Sequence, residues 1–120
     1  MNNIHNQILN ELRKTNPTLQ QLSTKLQRNH NGIRGRISEL RKNLPNETIT
    51  TINHHYSLQP KPEFFLERLR KQNFMNRPLS FSQLSHIFNT TPASIEHFIS
   101  SHFNTFHITQ LSPNTVSISY

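Results

Sequence analysis

The sequence predicts a mostly α protein with small β-hairpins, built as two tandem copies of one plan. Three observations carry this. Apolar residues recur at helical spacing along most of the 120 residues. A seven-residue stretch near the start returns in the second half. In each half, β-branched residues bounded by turn formers follow the third helical segment.

The internal repeat fixes the organisation. Ile8-Leu9-Asn10-Glu11-Leu12-Arg13-Lys14 aligns with Phe65-Leu66-Glu67-Arg68-Leu69-Arg70-Lys71, with four of the seven positions identical. Thr18-Leu19-Gln20-Gln21-Leu22-Ser23 aligns with Ser80-Phe81-Ser82-Gln83-Leu84-Ser85. At that offset Ile33, Ile37 and Ser38 meet Ile95, Ile99 and Ser100. The second copy carries about five extra residues between its first two helices. Between the copies, Leu58-Gln59-Pro60-Lys61-Pro62 reads as an extended, semi-stiff connector, because proline disfavours regular structure on both sides of itself. The expected units are therefore 1–58 and 63–120, joined by a Pro-containing linker at 59–62.

In the first unit, Ile4, Ile8, Leu9 and Leu12 mark a helix that Asn16-Pro17 ends. Thr18 and Gln21 form a capping box for a second helix with Leu19, Leu22 and Leu26 inside. A turn is expected from Gln27 to Gly32, then a third helix over 31–43 with Ile33, Ile37 and Leu40 on one face. Pro45 ends it. Glu47–Ile52 and His54–Leu58 read as a short hairpin. Helix, helix, helix, hairpin is the winged-helix order.

The second unit repeats it. Phe64, Phe65, Leu66 and Leu69 mark the first helix; Ser80 and Gln83 cap the second, which carries Phe81, Leu84, Ile87 and Phe88. Thr91-Pro92 opens a third helix with Ile95, Phe98 and Ile99. Phe103 and Phe106 are expected to close the core. Ile108 and Leu111 precede the turn Ser112-Pro113-Asn114, and Val116, Ile118 and Tyr120 alternate after it, with no tail expected beyond them. Units of about 60 residues are marginal alone, so the aromatic-rich second unit is expected to pack on the first or on another copy.

The balance of 13 Lys+Arg against 6 Asp+Glu gives a formal charge of +7 and favours a polyanionic partner. The eight His add charge in mild acid. With no Cys, disulfides, Cys-ligated zinc and thiol catalysis are excluded. No apolar run reaches the roughly 20 residues of a membrane span, and Met1–His5 shows no secretory signal. A cytoplasmic protein without membrane contact is expected.

The cationic stretch runs from Lys25 to Lys42, with Lys25, Arg28, Arg34, Arg36, Arg41 and Lys42 against Glu39 alone. At about 100° per residue from Ile33, the side chains of Asn31, Ser38 and Lys42, with Gly35, lie opposite the apolar face, and Arg34 and Arg36 flank them. Arg pairs bidentately with guanine and Asn with adenine in the major groove. Gly35 removes a side chain where a helix would approach base edges, at about 1 kcal/mol of helix propensity. Thr18, Lys25 and Arg28 are expected near the phosphate backbone. The third helix of the second unit, from Thr91 to Phe103, has no Lys or Arg and carries Glu96. Phosphates would not attract it, so dimerisation, partner binding or plain packing is expected of that unit.

Gly32-Ile33-Arg34-Gly35-Arg36-Ile37-Ser38-Glu39-Leu40-Arg41-Lys42 resembles the third helix of small winged helix-turn-helix domains of bacteriophage and prophage proteins. The shared pattern is an Arg-Ile pair, here Arg36-Ile37, then Leu40-Arg41-Lys42, and Tyr56-Ser57-Leu58 resembles the closing wing strand. The match covers about residues 4–58; after Lys42 this chain has Asn43-Leu44-Pro45 where the family often has a glycine and an aliphatic pair. The resemblance implies a duplex-DNA-binding regulator of a phage or mobile element. A different class stays open: a winged-helix module that binds and inhibits a host protein, such as a CRISPR nuclease complex.

No cofactor, metal or enzymatic activity is expected. His54 and His55 are adjacent, with His30 far upstream and no carboxylate cluster beside them. Glu63 and Glu67 share a helix face, but with Arg70 and Lys71 one turn on, i,i+4 pairing explains them better than acid–base work.

Overall fold

The structure, a computed structural model, describes residues 3–119. Tyr120, expected in the closing strand, lies outside the described residues, as do Met1 and Asn2 of the N-terminal stretch. The described chain is mostly helical with small hairpins. The first half runs α1 (Asn3–Lys14), α2 (Leu19–Leu26), α3 (His30–Asn43), β1 (Glu47–Ile52) and β2 (His55–Pro60). The second runs α4 (Pro62–Lys71), β3 (Leu79–Ser80), α5 (Phe81–Phe88), α6 (Pro92–Ser101), β4 (His107–Ser112) and β5 (Thr115–Ser119).

Several aligned positions of the two halves share the same burial and the same local caps. Ile8, Leu12, Leu22, Ile33 and Ile37 are buried in the first half; their counterparts Phe65, Leu69, Leu84, Ile95 and Ile99 are buried in the second. Both capping boxes form: Thr18 Oγ1 accepts from the Gln21 amide, and Ser80 Oγ accepts from the Gln83 amide. Both second helices end on a left-handed residue, Gln27 and Asn89. Both third helices start from a side-chain cap, Asn29 and Thr91. Each hairpin gains a contribution from the segment before the second helix. In the second half β3 pairs with β5, giving the order β3-β5-β4; in the first this shrinks to one bridge, Thr18 opposite His55.

Each half has its own core. Ile4 through Leu58 form one, around α1, α3 and the hairpin. The other is centred on Phe65, whose ring lies 4.9 Å from that of Phe88, 4.7 Å from Phe98 and 5.6 Å from Phe106. Such ring pairs add about 0.5–1.5 kcal/mol each beyond area burial.

Four expectations are corrected. The 59–62 segment is not a free linker. Gln59 and Pro60 belong to β2, opposite Thr48 and Glu47, and Pro62 already sits in the first turn of α4. Lys61 alone separates them, tied by its amide to the Asn46 carbonyl at 2.8 Å. The expected turn through Gly32 ends earlier, because Asn29 caps the helix by accepting from the Gly32 amide at 2.7 Å. Gly32 is thus helical. The hairpin turn is Asn53-His54, both at positive φ, so His54 is a tip residue and β2 starts at His55. Phe103 does not close the core: α6 stops at Ser101, and the ring is 38% exposed, while Phe106 is buried.

The halves pack through a polar seam. The N-terminus of α6 abuts β2, and Ser57, Gln59, Thr90, Thr91 and Ser94 are buried there. Asn16 Nδ2 donates to Ser94 Oγ at 2.9 Å, and the Thr91 hydroxyl donates to Asn16 Oδ1 at 2.7 Å. Ser57 Oγ lies 2.7 Å from Ser94 Oγ, and the Thr90 hydroxyl donates to the Leu58 carbonyl at 2.5 Å. Arg13 adds a clasp, pairing with Glu47 at 2.8 Å and donating to the Asn89 carbonyl at 2.9 Å. No helix among the described residues is long and apolar enough to cross a membrane.

Candidate nucleic-acid interface

α3 presents two faces of opposite chemistry. Ile33, Ile37 and Leu40 are buried against the first core. On the other side Asn31, Arg34, Gly35, Ser38 and Lys42 are all exposed. None of the four side chains here makes a hydrogen bond or ion pair with the described residues. A Cβ built on Gly35 would meet nothing within 4 Å, so no intrachain packing requires glycine there. Gly32 differs, because its Cβ would come to 3.1 Å of Asn29 Oδ1, the capping atom.

The remaining cations divide by what they hold. Arg36 is half-buried and donates to Glu39 Oε1 at 3.1 Å. It lies only about 60° from Ile33 around the helix, which draws it toward α1. Glu39 is shared on that side, its Oε2 standing 2.9 Å from His5 Nε2. Arg41 reaches the hairpin instead: Nε donates to the Ile49 carbonyl at 2.8 Å and a terminal nitrogen to Thr51 Oγ1 at 3.2 Å. Its guanidinium is committed to the edge of β1, so two donors of the expected reading set serve the fold first. Sequence periodicity could not show this, since it needs the hairpin in place.

Around α2, Lys25 pairs with Glu11 at 3.0 Å, and the Thr18 hydroxyl is used as the cap. The Arg28 side chain, in the turn between α2 and α3, is exposed and has no partner among the described residues. His30, weighed from sequence only as a histidine remote from His54 and His55, stands at the start of α3; its Nε2 lies 3.0 Å from Gln20 Oε1 and ties α3 to α2. The free cations of this surface are therefore Arg28, Arg34 and Lys42, alongside the neutral donors Asn31 and Ser38.

The matching helix of the second half faces elsewhere. The N-terminus of α6 enters the seam through Thr91 and Ser94, Ser94 fully enclosed and Thr91 nearly so, while Pro92 and Ala93 of the same turn are exposed. Among the described residues no group of three or more His, Asp or Glu could hold a metal ion. No protein-family model matches the chain, and no curated protein or solved structure is significantly similar to it.

Proposed function

We propose that the chain is a duplex-DNA-binding regulatory protein made of two tandem winged helix-turn-helix units. The first unit reads the major groove with α3; the second packs on it and keeps its own α6 off the DNA. The observation that carries this reading is the outer face of α3. Asn31, Arg34, Ser38 and Lys42 stand exposed, their side chains without partners among the described residues, around a glycine whose added Cβ would meet nothing within 4 Å. Base reading needs donors that are free, convergent and mounted on a rigid element, and the three buried aliphatics beneath supply the rigidity.

Arg34, Asn31 and Ser38 are assigned to base edges, and Arg28 and Lys42 to phosphates. Arg36, held by Glu39, flanks the groove as a second-rank contact, and Arg41 fixes the hairpin that would act as the wing. The likeness of residues 32–42 to prophage domains supplies the setting of a phage or mobile element in the cytoplasm of a host. Two copies meeting through their second units would set the spacing of half-sites. No catalytic role or cofactor is assigned.

The test is a salt titration of binding to a randomised 20-bp duplex pool, followed by selection for preferred sequences. A reader with about five phosphate contacts gives a log–log slope near −4.5, and selection converges on one motif. Absence of duplex binding, with capture of one host protein, overturns the reading in favour of an inhibitory interaction module.

A further inference from the structure

The second half carries a cationic groove beside the C-terminal end of α4. It is a recess of about 390 Å³ lined by Arg70, Asn73, Met75, Asn76 and Arg77. No acidic residue lines it. Arg70 and Arg77 are exposed, and neither guanidinium makes a hydrogen bond or ion pair with the described residues. On α4, Glu67 is bonded to Lys71 at 2.9 Å, and Arg70 acts on it through charge alone, as the smaller influence.

The duplication explains why Arg70 is free. Its counterpart in the first half is Arg13, which Glu47 at the start of β1 neutralises at 2.8 Å. The corresponding first residue of β4 is His107. The second half thus keeps the arginine and lacks the acid. Arg77 comes from the residues inserted between α4 and β3, a segment the first half does not have. That segment is held in place at several points. Phe74 and Met75 pack against the second core, the Phe74 amide donates to the Leu69 carbonyl at 2.9 Å, and the Asn76 amide donates to the Ile118 carbonyl at 2.8 Å. Asn73 and Asn76 take the left-handed backbone that turns the segment back on itself. An anchored loop thus brings a second arginine to the recess that Arg70 lines, and guanidinium groups are the donors suited to a phosphodiester.

We infer that the Arg70–Arg77 groove is a second phosphate-binding site, which takes the backbone of the same nucleic acid whose bases α3 reads. The inference rests on that reading of α3. It gives the second unit a role on the DNA that does not use α6. The molecule is 44 Å in its longest dimension, about 13 bp at roughly 3.4 Å per base pair, so a 20-bp duplex is long enough for both sites.

The experiment compares the full chain with R70A/R77A, R70K/R77K and R34A on one 20-bp duplex across a salt series. Loss of two phosphate contacts makes the log–log slope shallower by about 1.8. R70A/R77A shows that change with its sequence preference intact, and R70K/R77K restores the slope because lysine keeps the charge. All positions are exposed, and thermal melts check that the variants remain folded. If the wild type binds and R34A relaxes preference, yet R70A/R77A keeps the wild-type slope, this inference is overturned and the α3 reading stands. If the wild type binds no duplex, both fall together.

Discussion

Asn16 and Ser94, 78 positions apart in sequence, meet at 2.9 Å and join the two halves of the molecule. Ser94 has no exposed surface, and its hydroxyl sits among Asn16, Ser57 and Thr91. A buried polar group that loses its partner costs about 1–3 kcal/mol. Ser94→Ala is therefore expected to lower the denaturant midpoint by that amount of stability. An unchanged midpoint would show that the seam contributes nothing to holding the halves together.

Arg34, Arg36 and Arg41 are one residue type in three different settings. Arg34→Ala is expected to cost about 1–3 kcal/mol of specific binding and to relax one position of the preferred sequence. Arg36→Ala acts less, because Glu39 already engages that guanidinium. Arg41→Ala removes the bond to the Ile49 carbonyl and is expected to cost about 0.5–1.5 kcal/mol of stability. Quantitative binding selections with parallel melts separate the three outcomes. Equal effects of all three on sequence preference would refute the division of labour.

The two cores respond to different lesions. Ile37 is 1% exposed beneath the proposed reading face, and Ile37→Asp places an unpaired charge there. The first half is expected to lose its cooperative fold, visible as collapse of its amide NMR dispersion. Phe65→Ala removes the ring about which three other phenylalanines pack, at an expected cost of about 3–5 kcal/mol, with the second half affected first. The reverse assignment of lesions to halves would contradict the separation of the cores.

The Lys71 ammonium, by hydrogen bond and then by charge, holds the Glu67 carboxyl below its ordinary 4.5. The folded-state pKa is depressed, so the stabilising effect is present above the unfolded value and is lost as pH falls through the folded one. Lys71→Ala is expected to move the Glu67 titration upward toward 4.5, read by carboxyl-carbon NMR. A titration indifferent to that substitution would mean that the pair does not persist in solution.

Much of the fold was legible because burial follows period. Ile8, Leu12, Leu22, Ile33 and Ile37 each occupy the inner face that helical spacing assigns them, and the repeat transfers the assignment to the second half. Thr18, Ser80 and Thr91 were legible as caps because a cap is local chemistry. Asn29 was legible in principle by the same rule, but Gly32 read as a turn signal and masked it. What escaped the sequence was long-range. Nothing near Asn16 announces Ser94, and nothing near Arg41 announces the Ile49 carbonyl. Pro60 reads as a breaker, yet it ends a strand opposite Glu47, and the pairing resumes at Lys61. The outer face of α3 was legible as a face, while the commitment of Arg36 and Arg41 depends on neighbours brought in by the fold.

The arginine lock on β1 has a consequence for self-association. An outermost strand with bare carbonyls invites pairing with another chain, and a charged side chain laid along it discourages the approach. In the second half the alignment puts Phe103 where Arg41 stands, and Leu111 lies in β4; these are the large apolar residues left exposed among the described residues. The outermost strand there, β4, has a register shift between Gln110 and Ser112 instead of a cation to interrupt it. Any tendency of this molecule to form β-linked oligomers at high concentration is thus concentrated along β4, and a lysine at position 111 is the change that would suppress it.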